Sequence, residues 1–111
     1  MIILDIKPMS VNTAWKGRRF KTDTYKKYER DLALILPKFE VPEGMLELWL
    51  EFGFSSSLSD FDNPVKPFVD CLQKQYGFND RRIKRAHIEV FNVSKGEEYI
   101  KFDFKELTDE S

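Results

Sequence analysis

The sequence predicts an α+β domain in which a mixed or antiparallel sheet carries two packed helices. Three observations lead there. One segment, MLELWLEFGF, alternates apolar and polar residues with the period of a strand. Two others, 23–36 and 64–76, repeat apolar residues at helical spacing. Strand-like runs also stand at the amino-terminal end and twice after the second helix, which gives the order β-α-β-α-β-β. A chain of 111 residues fits one domain, and 41% hydrophobic content with 10 Phe supplies a core without cross-links. The expected domain is 1–106, with 107–111 a polar carboxy-terminal tail.

Taken in order, Ile2, Leu4 and Ile6 alternate in a short strand that Pro8 ends. The stretch PMSVNTAWKGRRFKT has no period. Its Trp15 and Phe20 read as loop anchors, and its cations Lys16, Arg18, Arg19 and Lys21 as candidate DNA-phosphate contacts. Thr22 or Asp23 can cap the first helix, whose apolar stripe is Tyr25, Tyr28, Leu32, Ile35 and Leu36. In the central strand Leu46, Leu48, Leu50 and Phe52 share one face, and Glu47, Trp49 and Glu51 the other. Asn63-Pro64 is a helix start, with Asn as the cap and Pro at the first helical position. Val65, Phe68, Val69, Leu72 and Tyr76 form the second stripe, and Gly77 stands where a helix-ending glycine belongs. Ile83 to Val93 and Tyr99 to Lys105 read as the last two strands.

Net charge is −1, but the charges are segregated. Residues 1–39 sum to +5, 40–62 to −6, 63–95 to +4 and 96–111 to −4. Two basic blocks flank an acidic one, and local patches decide phosphate binding at physiological salt. The single cysteine, Cys71, excludes an intrachain disulfide and fits a reducing compartment. The opening MIILDIKP is too short and too soon charged for a signal peptide, and no apolar run approaches membrane length. The expected location is the cytoplasm, with no membrane partner.

The chemistry concentrates between Asp60 and Arg85. Asp60 and Asp62 are two apart, so in extended chain both carboxylates face one point. Converging carboxylates repel unless a hard cation joins them, and magnesium takes oxygen ligands. Asp80 follows Gly77, where the chain could return it to the same end. Lys66 lies in a first helical turn, where a cation opposes the helix dipole. It gains from an anion there: the aspartates or a phosphate. The plainer role of Lys66 is an i,i+4 pair with Asp70, worth a few tenths of a kcal/mol. Asp70 ranks as an orienting group. Arg81, Arg82, Lys84 and Arg85 follow as candidate DNA contacts. His87 reads as structural and Cys71 as core. An EF-hand is excluded, because its glycine and closing glutamate positions, counted from Asp60, are Val65 and Cys71.

These residues resemble the RusA family of Holliday junction resolvases. The family pattern is D-x-D-N-x-x-K-P-x-x-D-x-L, then a glycine, then D-D. Here it reads Asp60-Phe61-Asp62-Asn63, Lys66-Pro67, Asp70, Leu72, Gly77 and Asn79-Asp80. Pro8, Ser10-Val11-Asn12, Trp15, Gly17-Arg18 and Phe20 are similar to the family's amino-terminal half. The resemblance implies a homodimeric, magnesium-dependent endonuclease, with manganese as a substitute and no organic cofactor. It implies paired nicks in four-way DNA junctions, in recombination and repair. On its pattern Asp60, Asp62 and Asp80 are the metal-binding carboxylates and Lys66 the catalytic lysine. Such proteins are often carried by phages and prophages. This chain departs in two ways: Asn79 replaces one acid, and the net charge is not basic. Two other readings compete: a module of the same fold that binds branched or single-stranded DNA without cutting it, and a protein-interaction domain using the acidic segments 40–51 and 97–110.

Overall fold

The computed structural model describes residues 1–16, 20–56 and 61–108, and gives the backbone alone at 12, 13, 15, 16 and 20. Its main elements are those expected. A four-stranded mixed sheet has the order β1 (Ile2–Leu4), β6 (Tyr99–Glu106), β4 (Leu46–Phe54) and β5 (Ile83–Asn92). Pairing is antiparallel except between β4 and β5, which run parallel. Two helices, α2 (Asp23–Ile35) and α3 (Val65–Tyr76), contribute most of the helical side of the core. The aperiodic stretch after Pro8 holds two smaller units. A four-residue helix α1 (Val11–Ala14) is followed by a ribbon of β2 (Trp15–Lys16) and β3 (Phe20–Lys21). These pieces are too short to carry a period, so pattern alone does not reveal them.

The central strand sets the two faces. Leu46, Leu48, Leu50, Phe52 and Phe54 of β4 are all buried on the helix side. They meet Ile100, Phe102 and Phe104 of β6 and Phe68 and Leu72 of α3, all buried in the same cluster. Each such side chain contributes about 1.5–3 kcal/mol by leaving water. The opposite face carries Glu47, Trp49 and Glu51, each half-buried. Here Trp49 stacks on His87 with centroids 4.8 Å apart, and His87 Nε2 lies 2.7 Å from Glu47 Oε2. His87 therefore has the structural role its isolation predicts. Gly53 interrupts the alternation because the Tyr99 ring lies over it; a Cβ there would collide with that ring.

Helix boundaries follow local chemistry. Thr22 caps α2, its Oγ1 accepting from the Tyr25 N–H at 3.1 Å. Ile35, expected on the buried stripe, is 41% exposed, because it lies at the rim of a stripe centred on the buried Leu32 and Leu36. Ahead of α3 the cap position falls on Pro64 rather than Asn63, and no side chain caps it. Residues 61–64 form a turn, with the Val65 N–H donating to the Asp62 carbonyl at 3.1 Å. Gly77 ends α3 at φ 69°, and its N–H donates to the Gln73 carbonyl at 2.8 Å. Leu107, assigned to the tail, is still held by its N–H on the Met45 carbonyl at 2.8 Å.

One carboxylate links three elements. Glu29 of α2 accepts from Lys21 at 3.0 Å and from Lys74 of α3 at 3.1 Å. Burial acts to raise its pKa, but the hydrogen bonds and charges of the two lysines outweigh that and hold it below the ordinary carboxylate value. A depressed folded value stabilises above the unfolded pKa, and the gain fades as pH falls through the folded one. Glu29→Gln should therefore lower unfolding free energy by up to about 1 kcal/mol at pH 7. In urea titrations that gap should close at acid pH. Gly77→Ala should cost about 1–2 kcal/mol in the same titrations, because an L side chain resists the left-handed conformation.

Candidate metal and phosphate site

The sheet topology places the site. A parallel β4–β5 pair needs a crossover, and this one carries α3 across the sheet. Residues 61–64 lead into the helix and 77–82 lead out of it. Between α3 and β5 lies an open groove of about 380 Å³. Leu48, Leu50, Val65, Val69, Ile83 and Ile88 form its apolar floor and walls, and Asp62, Lys66, Asp70 and Asp80 its polar lining. Four of the residues singled out from sequence thus share one groove. The fifth, Asp60, lies outside the described residues.

The four come from the entry turn, the flank and the exit turn of α3. Asp62 precedes the first turn of α3. It sits in the turn formed by residues 61–64. That turn is held from the other side by the Val11 N–H, which donates to the Asn63 carbonyl at 2.9 Å. Lys66 Nζ donates to Asp70 Oδ1 at 3.0 Å, the i,i+4 pair that spacing allows. Lys66 is still largely exposed and lines the same groove as Asp62. Asp80 opens a 3₁₀ turn (Asp80–Arg82) past the carboxy-terminal end of α3. Asp62 thus precedes α3 and Asp80 follows it, but the Asp80 N–H folds back onto Gln73 within the helix, and both carboxylates line the one groove. Among the described residues no three His, Cys, Asp or Glu side chains stand close enough to enclose an ion.

Two residues complete the site that the sequence reading did not assign to it. Gln73, in the last turns of α3, donates from Nε2 to Asp70 Oδ1 at 3.3 Å and accepts the Asp80 N–H on Oε1 at 2.9 Å. One amide thus ties the lysine's partner to the start of the exit turn. The i,i+3 spacing of Asp70 and Gln73 was the available signal. Asn79 caps the exit turn, its Oδ1 accepting from the Arg81 N–H at 2.9 Å. Its amide carbonyl does the capping an aspartate would do there.

The expected phosphate contacts divide. Arg82 is committed to structure: Nε donates to the Gly44 carbonyl at 2.8 Å and Nη2 to the Pro42 carbonyl. Lys21 is held by Glu29. Arg85 lies 3.6 Å from Glu47. Arg81 and Lys84 are exposed, and neither makes an ion pair among the described residues. Arg18 and Arg19 fall outside the described residues, as does the side chain of Lys16. Cys71 is buried, and burial, then the charges of Glu29 and Asp70, pushes its thiol up to about 12. It remains a thiol at neutral pH, which excludes it as a nucleophile.

No protein-family profile matches the chain, and no characterised protein matches it significantly. No helix among the described residues is long and apolar enough to cross a membrane.

If Gln73 positions both carboxylates, Gln73→Leu should free the exit turn while keeping the helix. Amide exchange at Asp80 and Arg81 should quicken severalfold, with the global unfolding midpoint shifted by less than about 1 kcal/mol.

Proposed function

We propose that the chain is a magnesium-dependent endonuclease of the RusA type that resolves four-way DNA junctions by paired nicks. The observation that carries this reading is the groove between α3 and β5, where Asp62, Lys66, Asp70 and Asp80 share one lining. All the candidate donors there are oxygens, the ligand type magnesium prefers. Magnesium is commonly held by one or two carboxylates, with water and substrate phosphate completing its shell, so carboxylates sharing one groove fit it without a closed cage. Asp62 and Asp80, with Asp60, are the residues to hold it. The chemistry supplied with magnesium bound is Lewis-acid polarisation of a phosphodiester oxygen.

The chain's own residues do the rest. Lys66 brings a positive charge to the groove, where negative charge develops on the phosphate during attack. Asp70 holds that ammonium at 3.0 Å and so limits its rotamers. Gln73 fixes Asp70 and the turn that carries Asp80. Arg81 and Lys84, exposed just beyond Asp80, are placed to meet flanking phosphates. On this reading the active unit is a homodimer, because a two-fold assembly matches paired cuts on a roughly two-fold substrate. A cytoplasmic location belongs to the same proposal and is supported by the buried free thiol of Cys71.

The test is cleavage of a four-way junction beside a linear duplex, with magnesium, with manganese and with chelator. The junction should be nicked in symmetric pairs only when a divalent ion is present, and the duplex spared. Asp62→Asn and Lys66→Ala should each lower cleavage at least about 100-fold. Junction binding by Asp62→Asn should persist. Binding without any cleavage by the unaltered chain would favour the non-cutting module instead. No DNA binding at low salt would set both aside.

A further inference from the structure

We propose that the flank of α2 facing α3, together with Lys74, forms a second phosphate track that holds an arm of the branched DNA beside the reaction groove. The inference rests on the DNA-binding part of the reading above and adds residues that the reaction groove does not contain. Lys26, Glu29, Arg30 and Ala33 recur at i, i+3, i+4 and i+7, so they share one side of α2. That side faces α3, because Glu29 meets Lys74 there at 3.1 Å. Arg30, Ala33 and Lys74 line one open groove of about 220 Å³ between the two helices. Its rim is cationic. Lys21 and Lys74 share the single carboxylate of Glu29, which leaves one positive charge over. Lys26 and Arg30 are exposed, and neither makes an ion pair among the described residues.

Helix stability does not account for these cations. Lys26 stands in the first turn of α2, where a cation opposes the helix dipole. Lys26 and Arg30 are like charges at i and i+4, an arrangement that weakens an isolated helix. Asp31 does not offset them: it pairs with Lys27 at 2.6 Å and lines the cavity on the far side of α2. Lys26, Arg30 and the surplus charge at Glu29 gain instead from an anion laid across them. A phosphodiester backbone presents negative charges in a continuous row, and cations that neutralise it release its condensed counterions.

The track lies across α3 from the reaction groove, which opens on the β5 side of that helix. Packed helices stand about 8–10 Å apart. The phosphates held on α2 are therefore not the scissile one. Contacts of that kind position the nucleic acid rather than act on the bond that breaks. The track thus serves binding and the placement of an arm, while Lys66 and the aspartates serve the cut.

Fluorescence anisotropy of a labelled four-way junction, in chelator and over a range of salt, tests the track without cleavage. Each phosphate contact contributes about 0.9 to the slope of log K against log salt, so Lys26→Gln/Arg30→Gln should lower that slope by about 1.8 and weaken binding severalfold. Lys101→Gln/Lys105→Gln removes equal charge from the opposite face of the sheet and should leave the slope unchanged. Glu29→Gln removes the one anion from the rim and should tighten binding. Circular dichroism would establish that each variant is folded; were the double variant at Lys26 and Arg30 unfolded, each single variant should lower the slope by about 0.9. In magnesium that double variant should raise KM for junction cleavage and keep kcat. An unchanged slope, an equal fall in the Lys101/Lys105 pair, or weaker binding by Glu29→Gln would each overturn the track. So would a double variant that holds DNA as before but no longer binds polyglutamate, which would make an acidic protein the partner. A lowered slope without any cleavage would support the track and overturn only the nuclease; no DNA binding by the unaltered chain would overturn both.

Discussion

The parallel pairing of β4 with β5 is the constraint on which the rest depends. Antiparallel neighbours can be joined by a tight turn, but parallel neighbours cannot. The chain leaving Phe54 must travel back the length of the sheet before Ile83 can pair beside Leu46. That return is α3, held down by Phe68 and Leu72 on the apolar row of β4. The groove is the space left where one helix covers two strands incompletely. Its polar lining comes from the turn before the helix, from the helix flank and from the turn after it. Among the described residues, the candidate chemistry therefore lies along the crossover.

The same constraint explains where the polar residues come from. Asp62 belongs to the entry of the crossover helix and Asp80 to its exit. Local sequence could place each of them relative to its helix end but could not say that both would line one groove. Gln73 joins Asp70 on the flank to the backbone of Asp80. Arg82 anchors the exit turn from the other side, on the carbonyls of Pro42 and Gly44. Its charge thereby serves the connection into β4, a use that a run of basic residues in sequence does not reveal.

Much of the fold was legible because burial imposes period. The alternation of Leu46 to Phe52, the stripes of α2 and α3, and the stop at Gly77 all come from local rules. Ile35 misled because it stands at the rim of a stripe whose centre is Leu32 and Leu36. Residues 11–21 were opaque because a four-residue helix and two-residue strands have no period. Strand β5 was recognisable from its β-branched content, yet its place at an open edge was not, since neighbour order depends on distant segments. At the site, carboxylate and lysine positions were legible through their spacing and family resemblance. Gln73 was not, because a neutral amide acts there through hydrogen bonds to Asp70 and Asp80 that spacing does not show, and Asn79 was noted for the acid it replaces rather than for its cap.

The central claim is that the groove along α3 draws a divalent cation to Asp62 and Asp80. Titration with manganese, followed by paramagnetic broadening of amide resonances, tests it most directly. The account predicts early, selective broadening around Asp62, Lys66, Asp70 and Asp80, reversed by excess magnesium. Trp49 and Tyr99, on the opposite face of the sheet, should remain sharp. Broadening centred instead on the acidic turn at Glu97 and Glu98, or none in the groove at millimolar manganese, would contradict it.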